Sequence, residues 1–328
     1  MKKMFLLLLL VLGIAITGFS QEKTEEFKPN GKPLALIFAD FNSAFSDGET
    51  SKSFNITRAY LGYEYNFSEQ IYAKVVLDVG DPKIGAFDRV AYLKNAYVQY
   101  STGNLKAYFG LISTTQFKTS EKIWGYRYIE KSFQDAYKFN SSADYGLNLV
   151  YEFSDFISAD FSIINGEGYK VLENDDYLRP GLGITVNPVK DITARVFADN
   201  MGDEVKQQSL ATFVAYTGEK LTVGAEYNYQ KNMGMEDGHD IFGTSIYASF
   251  KPSDKVNIFG RFDDLGSETL EGEDDPWQLS KDGQLFMAGL EFSPVKGVKV
   301  APNYRLWNAA DAAVENTSYL YLNVELKF

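Results

Sequence analysis

Basic side chains are concentrated in one internal segment of an otherwise acidic chain. The segment 112–141 carries an excess of lysine and arginine, whereas the formal net charge of the whole chain is −12. Ammonium and guanidinium groups attract anions by charge and by hydrogen-bond donation, so the predicted chemistry is anion binding. The alternative is that these charges pair within the segment, with Arg127 and Glu130 as the obvious pair. The candidate anion-binding residues are Lys118, Lys122, Arg127 and Lys131.

Other kinds of site find little support in the sequence. The absence of cysteine excludes disulfides, thiolate metal sites and cysteine nucleophiles. The single histidine, His239, lies in a predicted external loop, away from any serine on a rigid strand, which argues against Ser-His-Asp hydrolysis. The acidic stretch 264–282 offers hard oxygen ligands for Ca²⁺, but it lacks the EF-hand spacing and is interpreted as a solvated loop. No catalytic residue, metal site or cofactor is therefore predicted.

The elements that would position the basic segment are β-strands of alternating polarity. In the stretch 319–328, one face carries Leu320, Leu322, Val324, Leu326 and Phe328, and the other carries Tyr319, Tyr321, Asn323, Glu325 and Lys327. A transmembrane β-barrel needs this pattern, because its strands face lipid on one side and a polar lumen on the other. The stretch resembles the C-terminal signature of bacterial outer-membrane barrels. Abundant tyrosine and phenylalanine agree with aromatic girdles at the membrane interfaces.

The lengths of the connections predict how many strands there are. Short turns rich in Gly, Pro, Asp, Asn and Ser are predicted at 68–70, 102–104, 154–155, 188–190, 217–220, 252–254 and 294–297. They alternate with longer polar connections at about 45–52, 80–90, 112–141, 165–177, 200–207, 231–239, 264–282 and 308–317. This alternation predicts an all-β fold: a 16-stranded antiparallel transmembrane β-barrel with short periplasmic turns and long extracellular loops. A barrel of this size encloses an aqueous channel.

The start of the chain predicts export from the cytoplasm. Residues 1–20 have the basic and apolar regions of a signal peptide, 21–31 would form a short periplasmic tail, and 32–328 would form the barrel. No later run of apolar residues is long enough for a membrane-spanning helix. The expected location is the outer membrane of a Gram-negative cell, with the lipid bilayer and lipopolysaccharide as surroundings. The acidic charge argues against nucleic acid as a partner and fits either cation-bridged lipopolysaccharide or simple solubility.

The basic segment 112–141 follows the fifth predicted strand and is the longest connection. In sixteen-stranded general porins the third external loop folds back into the barrel and narrows it, so this segment is predicted to be a constriction loop. On the predicted strands, Arg58, Arg195, Arg261 and Arg305 face the lumen as basic residues of the pore wall. Acidic residues face the lumen in nearly equal number, so the predicted wall is of mixed charge.

Several motifs resemble the phosphate-selective porin O/P family, in the form common in Bacteroidota. The resemblance covers mainly residues 54–153 and is carried by Phe54, Arg58-Ala59-Tyr60-Leu61-Gly62-Tyr63-Glu64, Leu93-Lys94-Asn95-Ala96-Tyr97-Val98-Gln99-Tyr100, Phe109-Gly110 and Tyr126-Arg127-Tyr128-Ile129-Glu130-Lys131-Ser132. It implies a sixteen-stranded, usually trimeric porin whose basic residues line an anion path. It further implies that Arg127 and Lys131 lie in the constriction loop and Arg58 on the wall.

The sequence therefore favours a passive diffusion channel for small hydrophilic solutes, with a preference for anions such as phosphate. No chemical step is involved, because the mechanism is sieving by pore width with an electrostatic bias. One alternative is a structural or ligand-binding barrel whose bore is closed and whose external loops bind partners. A barrel hydrolase is a further alternative.

Overall fold

The computed structural model describes residues 27–80 and 89–328, and these residues form one closed antiparallel β-barrel. The predicted signal peptide, most of the predicted tail and most of the connection 80–90 lie outside the described residues. The strands are β1 (Asn30–Ser46), β2 (Glu49–Asn66), β3 (Ile71–Gly80), β4 (Val90–Thr102), β5 (Leu105–Ser113), β6 (Ala143–Glu152), β7 (Ile157–Ile164), β8 (Arg179–Val186), β9 (Ile192–Met201), β10 (Gln207–Thr217), β11 (Leu221–Lys231), β12 (Ile241–Ser253), β13 (Val256–Ser267), β14 (Gly283–Val295), β15 (Val298–Ala309) and β16 (Thr317–Lys327).

Each strand pairs with its neighbours in sequence, and β1 pairs with β16 to close the barrel. The closing ladder runs from Leu36 opposite Lys327 to Phe45 opposite Ser318. This closure leaves no strand of the barrel with an unpaired edge. Such pairing is needed in a hydrocarbon environment, because no water is present there to hydrogen-bond the backbone. The prediction of a sixteen-stranded antiparallel barrel is confirmed.

Side chains alternate between an apolar exterior and a polar interior. On β11, Leu221 and Tyr227 are exposed on the outer surface, whereas Glu226 and Asn228 are buried inside. This follows from the two-residue period of a strand, which places successive side chains on opposite faces of the sheet. The apolar band faces lipid, so the protein is a transmembrane barrel of the outer-membrane type.

Seven tight turns join strands at the periplasmic edge, as the sequence predicts. The prediction of a long external connection at 45–52 is wrong. The structure has a two-residue turn there, and β1 pairs with β2 up to Ser46 opposite Glu49. Asp47 and Gly48 both have positive φ, 49° and 71°, which is the backbone of the Asp-Gly hairpin turn. The remaining extracellular connections are longer.

The connection between β5 and β6 lies inside the barrel and contains the two α-helices of the described chain, α1 (Lys118–Trp124) and α2 (Phe133–Ala136). Gly125 ends α1 in the left-handed conformation (φ 72°), where its N–H donates to the Glu121 carbonyl oxygen. We call residues 114–142 the internal loop. No helix in the described ranges is both long and apolar enough to cross a membrane.

The main hydrophobic core forms between the internal loop and the lumen-facing wall. Trp124 is 2% exposed, and its ring centroid lies 5.1 Å from that of Tyr247 on β12. Tyr126 packs at 4.8 Å against Phe259 on β13. Phe133 is fully buried in a second cluster with Phe139. The loop therefore crosses the lumen and packs against the wall opposite to the strands that carry it.

Candidate functional site: the internal loop and the lumen

Arginines of the wall hold the internal loop by its backbone. Arg195 on β9 donates to the Thr115 carbonyl oxygen at 3.0 Å, and Arg305 on β15 donates to the Ile129 carbonyl oxygen at 2.7 Å. Arg261 on β13 donates in the same way to the carbonyl oxygen of Lys131. Buried carbonyl groups need a donor, and charged donors make the stronger bonds.

The same arginines are paired with carboxylates. Arg195 lies 2.6 Å from Asp160 on β7, and Arg261 lies 2.6 Å from Asp263 on its own strand. A fourth arginine, Arg179, repeats the arrangement, since it pairs with Asp199 and donates to a loop carbonyl oxygen. Because their charge is matched by carboxylates and each donates to a loop carbonyl oxygen, these groups attach the loop. The structure thus places the predicted wall residues Arg195, Arg261 and Arg305 at loop anchors.

Arg58, the remaining predicted wall residue, lies on β2 near the extracellular side. It pairs with the fully buried Asp78 and donates to the Tyr169 hydroxyl at 3.3 Å. The Tyr169 hydroxyl in turn donates to Asp78 at 2.8 Å, so the three groups form one network. Arg58 lines the space on the extracellular side of the loop.

Arg127 lies on the opposite side of the internal loop, facing the first strands. It forms ion pairs with Glu121 and Asp135, whereas Glu130 pairs with Arg305 at 2.6 Å. The particular pair of Arg127 with Glu130 is therefore wrong, but Arg127 does pair within the segment, as that sequence-based alternative expects. Burial tends to lower the pKa of Arg127, but Tyr60, Asp135 and Glu121 outweigh burial and raise this pKa well above its ordinary value. Arg127 consequently carries its charge at neutral pH.

Asp135 joins Arg127 to Lys131, whose Nζ lies 3.3 Å from the Asp135 carboxylate. Burial alone would raise the pKa of Asp135, but the positive charges of Arg127 and Lys131 outweigh burial and lower it. The side chain of Lys131 is 39% exposed and borders the extracellular side of the loop. These three groups bring two of the predicted anion-binding residues together.

Lys118 and Lys122, one turn apart on α1, face the periplasmic side of the lumen. Lys118 lies 5.9 Å from the ring centroid of Tyr108 and, within the described chain, forms no ion pair. Burial lowers the pKa of Lys118. The four predicted loop residues are thus spread along the lumen, with Lys131 at the extracellular side, Lys122 at the periplasmic side, and Arg127 and Lys118 lining the space between.

Three adjoining spaces follow the loop through the barrel. A space of about 630 Å³ lies on the extracellular side, and one of about 740 Å³ lies on the periplasmic side. Between them a smaller space of about 230 Å³, which we call the constriction, separates the loop from β1 to β4. Ser142 borders the extracellular space and the constriction, and Lys118 borders the constriction and the periplasmic space. The three spaces are therefore neighbours along the loop.

Lys94 on β4 is a lining residue of the constriction that sequence reasoning did not select. Its Nζ donates to the Ser142 hydroxyl at 2.8 Å and lies 4.9 Å from the Tyr169 ring centroid and 5.3 Å from that of Tyr60. No carboxylate of residues 27–80 or 89–328 forms an ion pair with it. Lys94 is thus held by a hydroxyl and two aromatic faces, and among the described residues no carboxylate lies at ion-pair distance from it.

A β-bulge explains why Lys94 was missed. Asn95 pairs with Val76 and Leu93 pairs with Leu77, which leaves Lys94 without a partner in the ladder. Strict alternation from the lumen-facing Asn95 would direct Lys94 towards lipid. The extra residue at the bulge interrupts the alternation of faces along β4, so that the consecutive side chains of Lys94 and Asn95 both face the lumen.

Two further groups of polar residues lie away from the constriction. In the loop 232–240, His239 Nδ1 lies 2.9 Å from Glu236, and the His239 ring packs against Trp277. Among the described residues, the one group of three carboxylates whose oxygens lie close together is Glu167, Glu173 and Asp175, between β7 and β8. The acidic stretch 271–275 does not gather into such a group.

No family model matches the chain, and no curated protein matches it. Solved structures do match, and those described below align with more than nine tenths of this chain. The OprB protein of Pseudomonas putida aligns with a TM-score of 0.72 at 8% identity, over 91% of this chain and 94% of OprB. An anion-selective porin from Comamonas acidovorans aligns with a TM-score of 0.66 at 9% identity, over 92% and 100% of the two chains.

A trimer form of in-vitro folded OmpT, an outer-membrane protein of Vibrio cholerae, aligns with a TM-score of 0.60 at 13% identity, over 92% of this chain and 99% of OmpT. At these identities the likeness establishes the fold. The protein is a β-barrel with the porin fold of outer-membrane proteins, and its closed sheet and apolar exterior agree with this class.

Proposed function

We propose that the protein is a passive diffusion channel of the outer membrane that passes small hydrophilic solutes and prefers anions. The observation that carries this proposal is the lining of the constriction, where Lys94 and Lys118 have no carboxylate partner among the described residues. Arg127 and Lys74 lie at the same level, each paired with carboxylates. In a narrow space of low dielectric constant an unmatched charge acts strongly on a passing ion.

The direction of the bias follows from the sum of charges around the constriction. Its lining contains four basic side chains and one acidic side chain, Glu121. The extracellular space is lined by five basic and three acidic side chains, and the periplasmic space by four basic and two acidic side chains. An anion thus meets basic groups at each level, although the protein as a whole is acidic. Phosphate is one anion that such groups would attract, in agreement with the resemblance to phosphate-selective porins.

The assembly that we propose is a homotrimer in the outer membrane, with lipid and lipopolysaccharide around it. The resemblance to trimeric porins supports this assembly. The trimer form of the Vibrio cholerae protein with the same fold also supports it. No chemical step is part of the proposed function.

The test is conductance across a planar bilayer, followed by the reversal potential in a KCl gradient. We expect open channels whose reversal potential is shifted towards the equilibrium potential of chloride. Lys94→Gln and Lys118→Gln should each shift it towards the potassium side. Lys255→Gln, at an exposed periplasmic turn, removes the same charge and should have no effect.

A cation preference of the wild-type channel would refute the anion bias. Absence of conductance would favour the alternative of a closed barrel that binds partners by its loops. Release of product from lipid or peptide substrates by the purified protein would favour a barrel hydrolase.

A further inference from the structure

The constriction has two chemically different walls. The basic side chains of Lys74, Lys94, Lys118 and Arg127 come from β3, β4 and the internal loop, whereas β1 contributes the aliphatic side chains of Leu34 and Leu36. Val76 and Phe117 are further apolar residues of the lining. A lumen is expected to be lined by polar residues, so this aliphatic surface departs from the rule for barrels.

The aliphatic wall is a property of strand β1. Leu34, Leu36 and Phe38 are consecutive side chains on the lumen face of that strand, and Ala35 and Ile37 occupy the other face. Phe38 is 4% exposed and packs in the hydrophobic core beneath the internal loop, so its apolar side chain has a structural role. Leu34 and Leu36 are only partly buried against that core and also border the open constriction.

Compact inorganic anions cannot use both walls. A hydrated chloride or phosphate gains from the cationic side, but it must give up hydration against the aliphatic side without an apolar contact in return. An anion with a short hydrocarbon body can place its carboxylate beside Lys94 and its methylene groups against Leu34 and Leu36. The volume of about 230 Å³ corresponds to about eight water molecules at roughly 30 Å³ each, which is enough for such a solute.

We infer that the constriction is a selective binding site for small organic monoanions with an aliphatic body, such as short-chain carboxylates. The inference rests on the proposed function, because the solute must first enter the lumen as an anion. Lys94, Lys118 and Arg127 attract the carboxylate, and Leu34 and Leu36 distinguish the hydrocarbon part. Full burial of one methylene group corresponds to roughly a four-fold gain in affinity, and contact on one side to roughly two-fold.

The test uses the full-length protein in planar bilayers with chloride as the current carrier. Acetate, propanoate, butanoate and hexanoate are added in turn, and the concentration that blocks half of the chloride current is measured for each. We expect this concentration to fall about two-fold for each added methylene group, and phosphate to block more weakly than butanoate. Simple sieving by size predicts the opposite order, since longer solutes would then interact less.

Two sets of variants separate the contributions of the walls. Leu34→Asn and Leu36→Asn replace the aliphatic surface by a polar side chain of the same branched shape and should reduce the difference between hexanoate and acetate. Lys94→Gln should weaken the block by every carboxylate to a similar extent. Leu172→Ser, which removes an exposed leucine from an extracellular loop, is the matched control and should leave the series unchanged.

The outcomes distinguish this inference from the proposed function. A chloride-selective channel whose half-blocking concentration is independent of chain length, or rises with it, overturns the inference and leaves anion permeation standing. A channel that prefers potassium overturns the proposed function. Should the asparagine variants fail to fold, the chain-length series of the wild-type channel still decides the question.

Discussion

The two sides of the internal loop differ in how their basic residues are paired. Towards β8 to β16, the arginines that hold the loop are buried, paired with carboxylates and bonded to loop carbonyl groups. Towards β1 to β4, Arg127 is also paired with carboxylates, but Lys94 and Lys118 line the constriction without a carboxylate at ion-pair distance among the described residues. A buried guanidinium is strongly destabilising without a charged partner, whereas a lysine that borders a cavity can keep fewer fixed partners. We therefore expect substitutions on the first side to act mainly on stability and substitutions on the second side to act mainly on selectivity.

The largest effect is expected on the anchored side. Arg261→Gln would leave the fully buried Asp263 without its partner and release the carbonyl oxygen of Lys131. Breaking one half of a buried ion pair costs about 3–5 kcal/mol. We expect the free energy of unfolding in detergent to fall by about that amount and single-channel conductance to rise as the loop loosens.

The double variant Arg261→Met with Asp263→Leu should recover most of the stability. Equal stability of the single variant and the wild type would show that Arg261 is not an anchor.

An intermediate effect on selectivity is expected from Arg127→Gln. The variant leaves Glu121 and Asp135 without their shared cation at the constriction, so anion preference should fall several-fold. Lys131→Gln should have a smaller effect, since this side chain is 39% exposed in the wider extracellular space. Reversal potentials in a KCl gradient measure both variants. The reverse ranking would place the selective point of the channel on the extracellular side of the loop.

A smaller effect is expected from acid. Because Arg127 and Lys131 lower the pKa of Asp135 despite its burial, its contribution to stability is complete above the pKa of the unfolded chain, about 3.9. This contribution is lost as the pH falls through the lower folded pKa. Between pH 5 and pH 7 the contribution of Asp135 should therefore be constant. Below about pH 4, stability should fall and anion preference should rise.

The variant Asp135→Asn provides the comparison for the acid effect. It should reproduce the increased anion preference at neutral pH, and its own preference should respond less to acid than that of the wild type. Reversal potentials recorded from pH 7 to pH 3 measure both proteins. If Asp135→Asn had the same anion preference as the wild type at neutral pH, Asp135 would not contribute to selectivity.

The smallest effect is expected where an ion pair is well exposed. Lys106 and Glu152 lie 2.8 Å apart with side chains 40% and 54% exposed. Exposed pairs contribute about 0–1 kcal/mol, so Lys106→Gln should change the free energy of unfolding by no more than that. Urea titration in detergent measures the change. If Lys106→Gln lowered the free energy of unfolding as much as Arg261→Gln, the proposed difference between exposed and buried basic residues would be wrong.

The strands were predictable because their information is local. Alternation with a period of two and the turn-forming residues at the periplasmic edge are read directly from adjacent positions. The same local signal misled at 45–52, where polar residues were interpreted as a loop. The Asp47-Gly48 pair fits a two-residue hairpin turn and allows both strands to continue.

The site was predicted less well because it depends on distant contacts. The pairing of Glu130 with Arg305 joins residues far apart in the chain, so spacing gave no indication of it. The inward direction of Lys94 depends on a register shift between two strands, which periodicity cannot reveal. The position of Arg127 and Lys131 on the internal loop followed from the family resemblance, whereas their sharing of Asp135 became visible only in three dimensions.

The pairing of β1 with β16 has a consequence for assembly. Its partners come from opposite ends of the described chain, so this contact closes the largest possible loop and forms at the greatest entropic cost. We therefore expect the barrel to form this ladder last, after the other strands are aligned, and its two edges to be open to other chains until then. A pair of cysteines placed at Ala39 and Val324, which lie opposite each other, would report the moment of closure by forming a disulfide.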